Sequence, residues 1–157
     1  MAAGSADTLR LGRRRGPATP LGPSAVRLAK PEGDLWEIPF AAEDLAELRA
    51  LVYGWATREA MDAEPTEEIV LSVHELATNS VRHGGGVGML RLWRTNEELV
   101  CEVQDAGRMP DAGAGSEQPG MAPAESRGLW IARQLCDRVQ IRSDESGTQV
   151  RLHKRLV

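Results

Sequence analysis

A glutamate, an asparagine and a histidine recur at four-residue spacing in Glu75-x-x-x-Asn79-x-x-x-His83. At about 100 degrees per helical residue they fall near 0, 40 and 80 degrees on one stripe. Ile69, Val70, Val73, Leu76, Ala77 and Val81 fill the adjoining arc from about 100 to 240 degrees, so the stripe borders the face that packs. A carboxylate placed there can take a proton from a hydroxyl or a water, and an amide oxygen one turn on can ligate Mg2+, which prefers oxygen donors. An ordinary solvated helix face would present the same residue types.

Three further fragments carry chemistry of a matching kind. In Asp105-Ala106-Gly107-Arg108-Met109-Pro110 the carboxylate can accept a hydrogen bond from an exocyclic amine such as that of adenine. Gly107 would let the backbone approach the base, although an Asp-x-Gly turn leaving a strand needs no ligand. In Ser126-Arg127-Gly128-Leu129 a predicted helix start offers free N–H groups to phosphate. Ser126 can cap, Arg127 adds charge, and Gly128 is a poor helix former whose presence a cap leaves unexplained. In Gly147-Thr148 a hydroxyl can join the adenine network, while a β-branched residue in a strand also needs no such reason.

The elements that position these residues follow from hydrophobic periodicity. Leu35 to Phe40 reads as a strand, with Pro39 pointing to an edge or an end. Glu43 to about Ala60 reads as a core-packing helix, and a second helix opens at Pro65 and ends at Gly84-Gly85-Gly86. Val87–Arg94 and Glu98–Gln104 form a hairpin. Ala106 to Ser126 is rich in glycine and proline and has no apolar period, which makes it a candidate lid. A helix from Arg127 to about Arg138 and a final hairpin of Val139–Ser143 and Thr148–Leu156 complete the chain. Clustered helices and paired strands predict an α+β two-layer sandwich, a mixed but mostly antiparallel sheet packed on helices.

Composition bounds the rest. The 157 residues suit one domain with some slack. Residues 1–30 hold six bases against Asp7, a net +5, which leaves −9 for the remainder of a chain whose total is −4. Residues 1–33 therefore read as a disordered basic arm with too few large apolar side chains to order it, and 34–157 as the globular domain. The Arg13-Arg14-Arg15 run is a handle for an acidic partner or simply a solvated tail. The acidic body argues against direct nucleic-acid binding, no apolar run is long enough for a membrane helix, and a cytoplasmic location is expected. Cys101 and Cys136 each lie in an apolar stretch and read as core thiols. No Gly-x-x-x-x-Gly-Lys-Ser/Thr run is present, which excludes a P-loop.

Taken in order, Glu75-Leu76-Ala77-Thr78-Asn79-Ser80-Val81-Arg82-His83-Gly84, Asp105-x-Gly107-x-x-Pro110, the Gly/Pro-rich lid, Arg127-Gly128-Leu129 and Gly147-Thr148 resemble the GHKL (Bergerat-fold) ATPases. Among these the pattern is most similar to the bacterial anti-sigma-factor serine/threonine kinases. The resemblance covers roughly Leu35 to Leu156 and implies ATP and Mg2+ as cofactors, with Glu75 as general base and Asn79 as Mg2+ ligand. It also implies that Asp105 is the adenine acceptor, that Gly107 lies against the base and that Thr148 supports it. His83, Arg127, Gly128 and Leu129 complete the ATP-binding set. The partners it implies are a sigma factor, which the protein sequesters, and a STAS-type anti-sigma antagonist that it phosphorylates on serine, with a homodimer as the assembly. Two departures stand out: Arg108-Met109-Pro110 replaces a second glycine common among relatives, and Ser116, Ser126 and Arg108 are the lid's only hydroxyls and base. The alternative is a regulatory module that holds ATP without transferring phosphate, against which the presence of Glu75 argues. A detached ATP-binding half of a histidine kinase is disfavoured because no second domain carries a phospho-accepting histidine.

Overall fold

The structure, a computed structural model, describes residues 13–14, 33–107 and 124–156. In chain order the elements are β1 (Arg13–Arg14), β2 (Leu35–Ala41), a 3-10 turn (Ala42–Asp44), α1 (Leu45–Arg58), α2 (Ala63–His83), β3 (Val87–Arg94), β4 (Glu98–Asp105), α3 (Ala124–Leu135), β5 (Arg138–Asp144) and β6 (Gly147–Arg155). The strands form one sheet in the order β1-β2-β3-β4-β6-β5, every neighbouring pair antiparallel. The fold is α+β, as the order of elements predicts. Two residues of the basic arm, Arg13–Arg14, pair with Trp36 and Leu35 and extend the sheet, a pairing the sequence does not announce. Of the remaining arm, residues 1–12 and 15–32 lie outside the described residues, as do residues 108–123 of the candidate lid, whose last three residues, 124–126, belong to a helix. Among the described residues no helix is long and apolar enough to cross a membrane.

Alternation along the strands separates two faces. Ile38, Phe40, Leu90, Leu92, Leu99, Cys101, Val103, Val150 and Leu152 pack with the helices in one core. On α1 the core takes Leu48, Leu51, Val52, Trp55 and Ala56, the stripe set by three- and four-residue spacing. On α2 it takes Ile69, Val73, Leu76 and Ala77, and α2 also buries three hydroxyl residues, Thr66, Ser72 and Ser80. Thr66 and Ser72 donate to the carbonyls of Met61 and Glu68, which removes the cost of burying them unpaired. Both cysteines are free and buried, as core thiols should be.

The third helix departs from expectation. It spans Ala124–Leu135, three residues earlier at each end than the predicted Arg127 to Arg138. Its end is fixed by commitments beyond it: the Asp137 N–H donates to the His153 carbonyl at 2.9 Å, and Arg138 pairs opposite His153 as the first residue of β5. At its start, Ala124 and Glu125 are good helix formers directly after Pro123 in the sequence. The second helix likewise begins two residues early, at Ala63, which leaves Pro65 in the first turn where its missing N–H costs nothing.

On the opposite face the side chains are polar yet buried. Glu102 accepts from Arg91 Nη1 at 2.5 Å and from Arg151 Nε and Nη2 at 2.9 and 2.7 Å. The Arg151 guanidinium also stacks 4.8 Å from the Trp93 ring. His153, which alternates with Arg151 and Arg155 along β6, contacts Gln140 at 2.7 Å and Glu98 at 3.2 Å.

Candidate nucleotide site

The helix-facing side of the sheet ends at Asp105, the last residue of β4. Its carboxylate is held on both oxygens: Ser80 Oγ donates to Oδ2 at 2.6 Å and the Gly107 N–H donates to Oδ1 at 2.8 Å. Thr148 Oγ1 donates to the Gly107 carbonyl at 2.9 Å and lies 2.7 Å from Ser143 Oγ. One chain of hydrogen bonds therefore runs from α2 through the end of β4 to the start of β6 and the end of β5. A carboxylate offers about four lone-pair sites, so Asp105 keeps acceptor capacity after these two bonds. Burial pushes its pKa up, and the bonds from Ser80 and Gly107 oppose that shift.

Glycines let the backbone close around this carboxylate. A Cβ on Gly84 would stand 2.3 Å from Asp105 Cγ, and one on Gly107 would stand 2.6 Å from Gly84 Cα and 2.8 Å from the His83 carbonyl oxygen. A Cβ on Gly147, whose φ is +145, would meet the Asp105 carbonyl oxygen at 2.3 Å. No side chain larger than hydrogen fits these three positions as the backbone stands. The result is a close-packed cradle of backbone around a partly buried carboxylate.

Glu75 and Asn79, both half-buried on α2, meet α3 at Gly128. A Cβ on Gly128 would lie 3.1 Å from Asn79 Nδ2 and 3.1 Å from Glu75 Cβ. The glycine therefore sets how closely α3 approaches the two residues. This corrects the reading of Gly128 as part of a helix start with free N–H groups. It lies in the second turn of α3, inside the helix, and its want of a side chain serves packing. Ser126 is likewise within the helix and not at its N-terminal boundary.

Of the remaining expected site residues, Arg127 is exposed and Leu129 is fully buried in the core, where its side chain packs and does not face a ligand. The His83 side chain is exposed, and its carbonyl is what adjoins Gly107. The structure thus unites Asp105, Gly107 and Thr148 in one network and brings Glu75 and Asn79 to Gly128. It joins the two groups through the single peptide step from Asn79 to Ser80. Ser80, Gly84, Ser143 and Gly147 have no assigned part in the sequence reading. Ser80 carried a signal, since at about 140 degrees it interrupts the apolar arc of α2 and a hydroxyl there needs a buried partner.

Among the described residues no group of three or more histidine, cysteine, aspartate or glutamate side chains could hold a metal. A lone amide oxygen at Asn79 suits Mg2+ all the same, because this ion keeps several waters and takes its other oxygens from a bound phosphate.

No curated protein matches the chain. Among solved structures it is similar to the RsbU and RsbW domains of Rv1364c from Mycobacterium tuberculosis, at 18% identity and a TM-score of 0.57 over 76% of this chain and 32% of that one. It is also similar to the histidine kinase domain of the blue-light activated histidine kinase EL346 from Erythrobacter litoralis, at 23% identity and a TM-score of 0.49 over 71% of this chain and 59% of that one. The chain spans about a third of the length of the first structure and under two thirds of the second, and its likeness to the first is one of fold. A family model described as a histidine kinase-like ATPase domain matches residues 38–154. That span takes in Glu75, Asn79, the Asp105 cradle, Gly128 and Thr148, and the chain belongs to the family of histidine kinase-like ATPase domains.

Proposed function

We propose that the protein is an ATP-dependent serine/threonine kinase of the anti-sigma type, which phosphorylates a STAS-type antagonist and sequesters a sigma factor. The observation that carries the nucleotide part is the Asp105 carboxylate, fixed by Ser80 and Gly107 where three glycines let the backbone close around it. Its free lone pairs would accept the exocyclic amine of adenine, and Thr148 would hold the Gly107 backbone against the base. The kinase part is supported by Glu75, which ATP binding alone does not require, and the anti-sigma part by the likeness in fold to a chain that includes an RsbW domain.

In this reading Glu75 accepts the proton of the substrate serine hydroxyl as its oxygen bonds to the γ-phosphorus and the bond from that phosphorus to the β-bridging oxygen breaks. Mg2+, when held through Asn79, supplies charge neutralisation on the phosphates. Gly128 keeps α3 close enough to hold Asn79 and Glu75 in place, and the backbone near the start of α3 adds dipolar attraction for phosphate. ATP, Mg2+, a sigma factor and the antagonist are the ligands and partners, and a homodimer is the proposed assembly.

Titration of the full chain by calorimetry with a non-hydrolysable ATP analogue, with and without Mg2+, tests the site. Magnesium-dependent binding is expected, and no heat at millimolar analogue would overturn the reading. Glu75→Gln should keep that binding and lose transfer of labelled phosphate from ATP to a serine of the antagonist. Equal phosphorylation by the variant would remove Glu75 from the chemistry. Binding without transfer in both proteins would leave a module that uses ATP only to shape a partner surface.

A further inference from the structure

The second helix carries four hydroxyl residues, and one of them behaves unlike the rest. Thr66, Ser72 and Thr78 each donate to a carbonyl four or five positions earlier, those of Met61, Glu68 and His74, at 3.3, 2.8 and 2.8 Å. A hydroxyl on a helix commonly turns back on nearby backbone in this way. Ser80 is 1% exposed and instead leaves its helix, donating across 25 positions to Asp105 Oδ2 at 2.6 Å. That separation is characteristic of an O–H group on an ionised carboxylate.

A hydroxyl has a single proton to give. Ser80 commits its proton to Asp105, and Thr148 commits its own to the Gly107 carbonyl at 2.9 Å. The 2.7 Å contact between Ser143 and Thr148 is then donated by Ser143. The Gly107 N–H is committed as well, to Asp105 Oδ1 at 2.8 Å. The hydroxyl protons of this network are therefore used within the protein, and what the carboxylate offers a ligand is lone pairs.

We propose that Ser80 makes the site choose an amino-bearing purine over an oxo-bearing one, by keeping the Asp105 carboxyl an acceptor on both oxygens. The inference rests on the reading of Asp105 as the acceptor for the base. The exocyclic amine of adenine matches such a carboxylate. The oxo group of hypoxanthine brings a second acceptor to the same place, and its nearest donor is the ring nitrogen beside it. Discrimination fails once the carboxyl holds a proton, because an acid can donate to the oxo group. Burial presses Asp105 toward that acid form, and the Ser80 hydroxyl, followed by the Gly107 N–H, opposes it. The Gly107 donor is backbone, so Ser80 is where the sequence controls the form that Asp105 takes. Ser80 acts through Asp105 and is a positioning residue.

The test compares ADP with inosine diphosphate by calorimetry in Mg2+, using the full-length wild type, Ser80→Ala and Ser80→Cys. The readout is the ratio of the two dissociation constants. Wild type should favour ADP about a hundredfold, within the range of a hydrogen bond to a charged group. Alanine suits a helix and removes the donor, and it should lower the ratio about tenfold. Cysteine keeps the size of the side chain with only a weak donor, and it should fall near the alanine variant. A role in packing alone would weaken both nucleotides alike. An unchanged ratio in Ser80→Ala therefore overturns the inference, while ADP binding by the wild type still upholds the nucleotide reading. A cysteine variant as selective as wild type overturns it too, since size and not the proton would then matter. Wild type that binds neither nucleotide, or both equally, overturns the reading of Asp105 and the inference together.

Discussion

The two faces of the sheet each bury a carboxylate, and the two carboxylates are spent differently. Glu102 is fully buried between Arg91 and Arg151, and both of its oxygens are taken by guanidinium groups. Asp105 is only partly buried, and its two hydrogen bonds come from neutral donors, Ser80 and the Gly107 N–H. The first is the stronger electrostatic assembly and is fully buried, out of reach of a ligand. The second retains lone pairs and lies in a cradle that Gly84, Gly107 and Gly147 keep free of side chains. Deep burial and charge pairing therefore mark architecture here, and residual hydrogen-bonding capacity beside bare backbone marks the site.

The largest effect should come from Glu102→Ala. Removing the acid leaves two buried guanidinium groups without their partner, which destabilises by about 3–5 kcal/mol. Chemical denaturation should show that loss, while the molecules still folded keep wild-type affinity for the ATP analogue. An affinity loss beyond the unfolded fraction would mean that the two faces are coupled and would break the contrast drawn between them. Asp105→Asn should do the reverse. An asparagine can still meet Ser80 and Gly107, so stability should move by no more than about 1 kcal/mol. Loss of the charged acceptor should weaken analogue binding about a hundredfold, in line with 1.5–3 kcal/mol for a hydrogen bond to a charged group.

Gly128→Ala sharpens the comparison within the site. Alanine is about 1 kcal/mol better than glycine inside a helix, and the new Cβ would press on Asn79 and Glu75 at 3.1 Å. The two terms oppose, so stability should change little, while displacement of Asn79 should reduce the Mg2+-dependent part of analogue binding about tenfold. Calorimetry with and without Mg2+ separates this from a general loss, because the Mg2+-free affinity, which rests on Asp105, should be kept.

How far the site was legible follows from which contacts are local. The stripe of Glu75 and Asn79 is a property of one helix, so spacing alone finds it. The hairpins and the α+β order follow from alternation and turn residues in the same way. The partners of Asp105 do not, since Ser80 is 25 positions away and Thr148 reaches Gly107 across 41. Gly84 and Gly128 look like punctuation in the sequence, a helix end and a weak helix former. Only tertiary packing shows that each is what a neighbouring side chain requires. The shift of α3 has the same origin, because Asp137 and Arg138 are claimed by β6 and not by their own helical propensity. The outer network was legible only as an alternation of His153 with Arg151 and Arg155. That both Arg91 and Arg151 converge on Glu102 depends on strand order, which no local pattern states.

The smallest expected effect is one of pH, and here the two faces should pull in opposite directions. Burial raises the pKa of Asp105 against two weaker opposing hydrogen bonds. An acid whose folded value is raised favours the fold most while protonated. Its contribution is full below the unfolded value of about 3.9 and is lost as pH climbs through the folded value above it. His153 is shifted the other way: burial and then the Arg138 charge lower its pKa, outweighing the contact with Glu98, with Arg151 adding to the lowering. A base with a depressed folded value contributes fully above its unfolded value of about 6.5, and that contribution disappears as pH falls through the lower folded value. Denaturation measured across the acid range should therefore respond differently to two conservative replacements. His153→Gln should flatten the loss of stability on acidification below about pH 6.5, and Asp105→Asn should remove the decline on raising pH through the carboxylate range. If His153→Gln left the acid limb unchanged, the histidine would not be the group that titrates there, and the outer face would carry no pH dependence of its own.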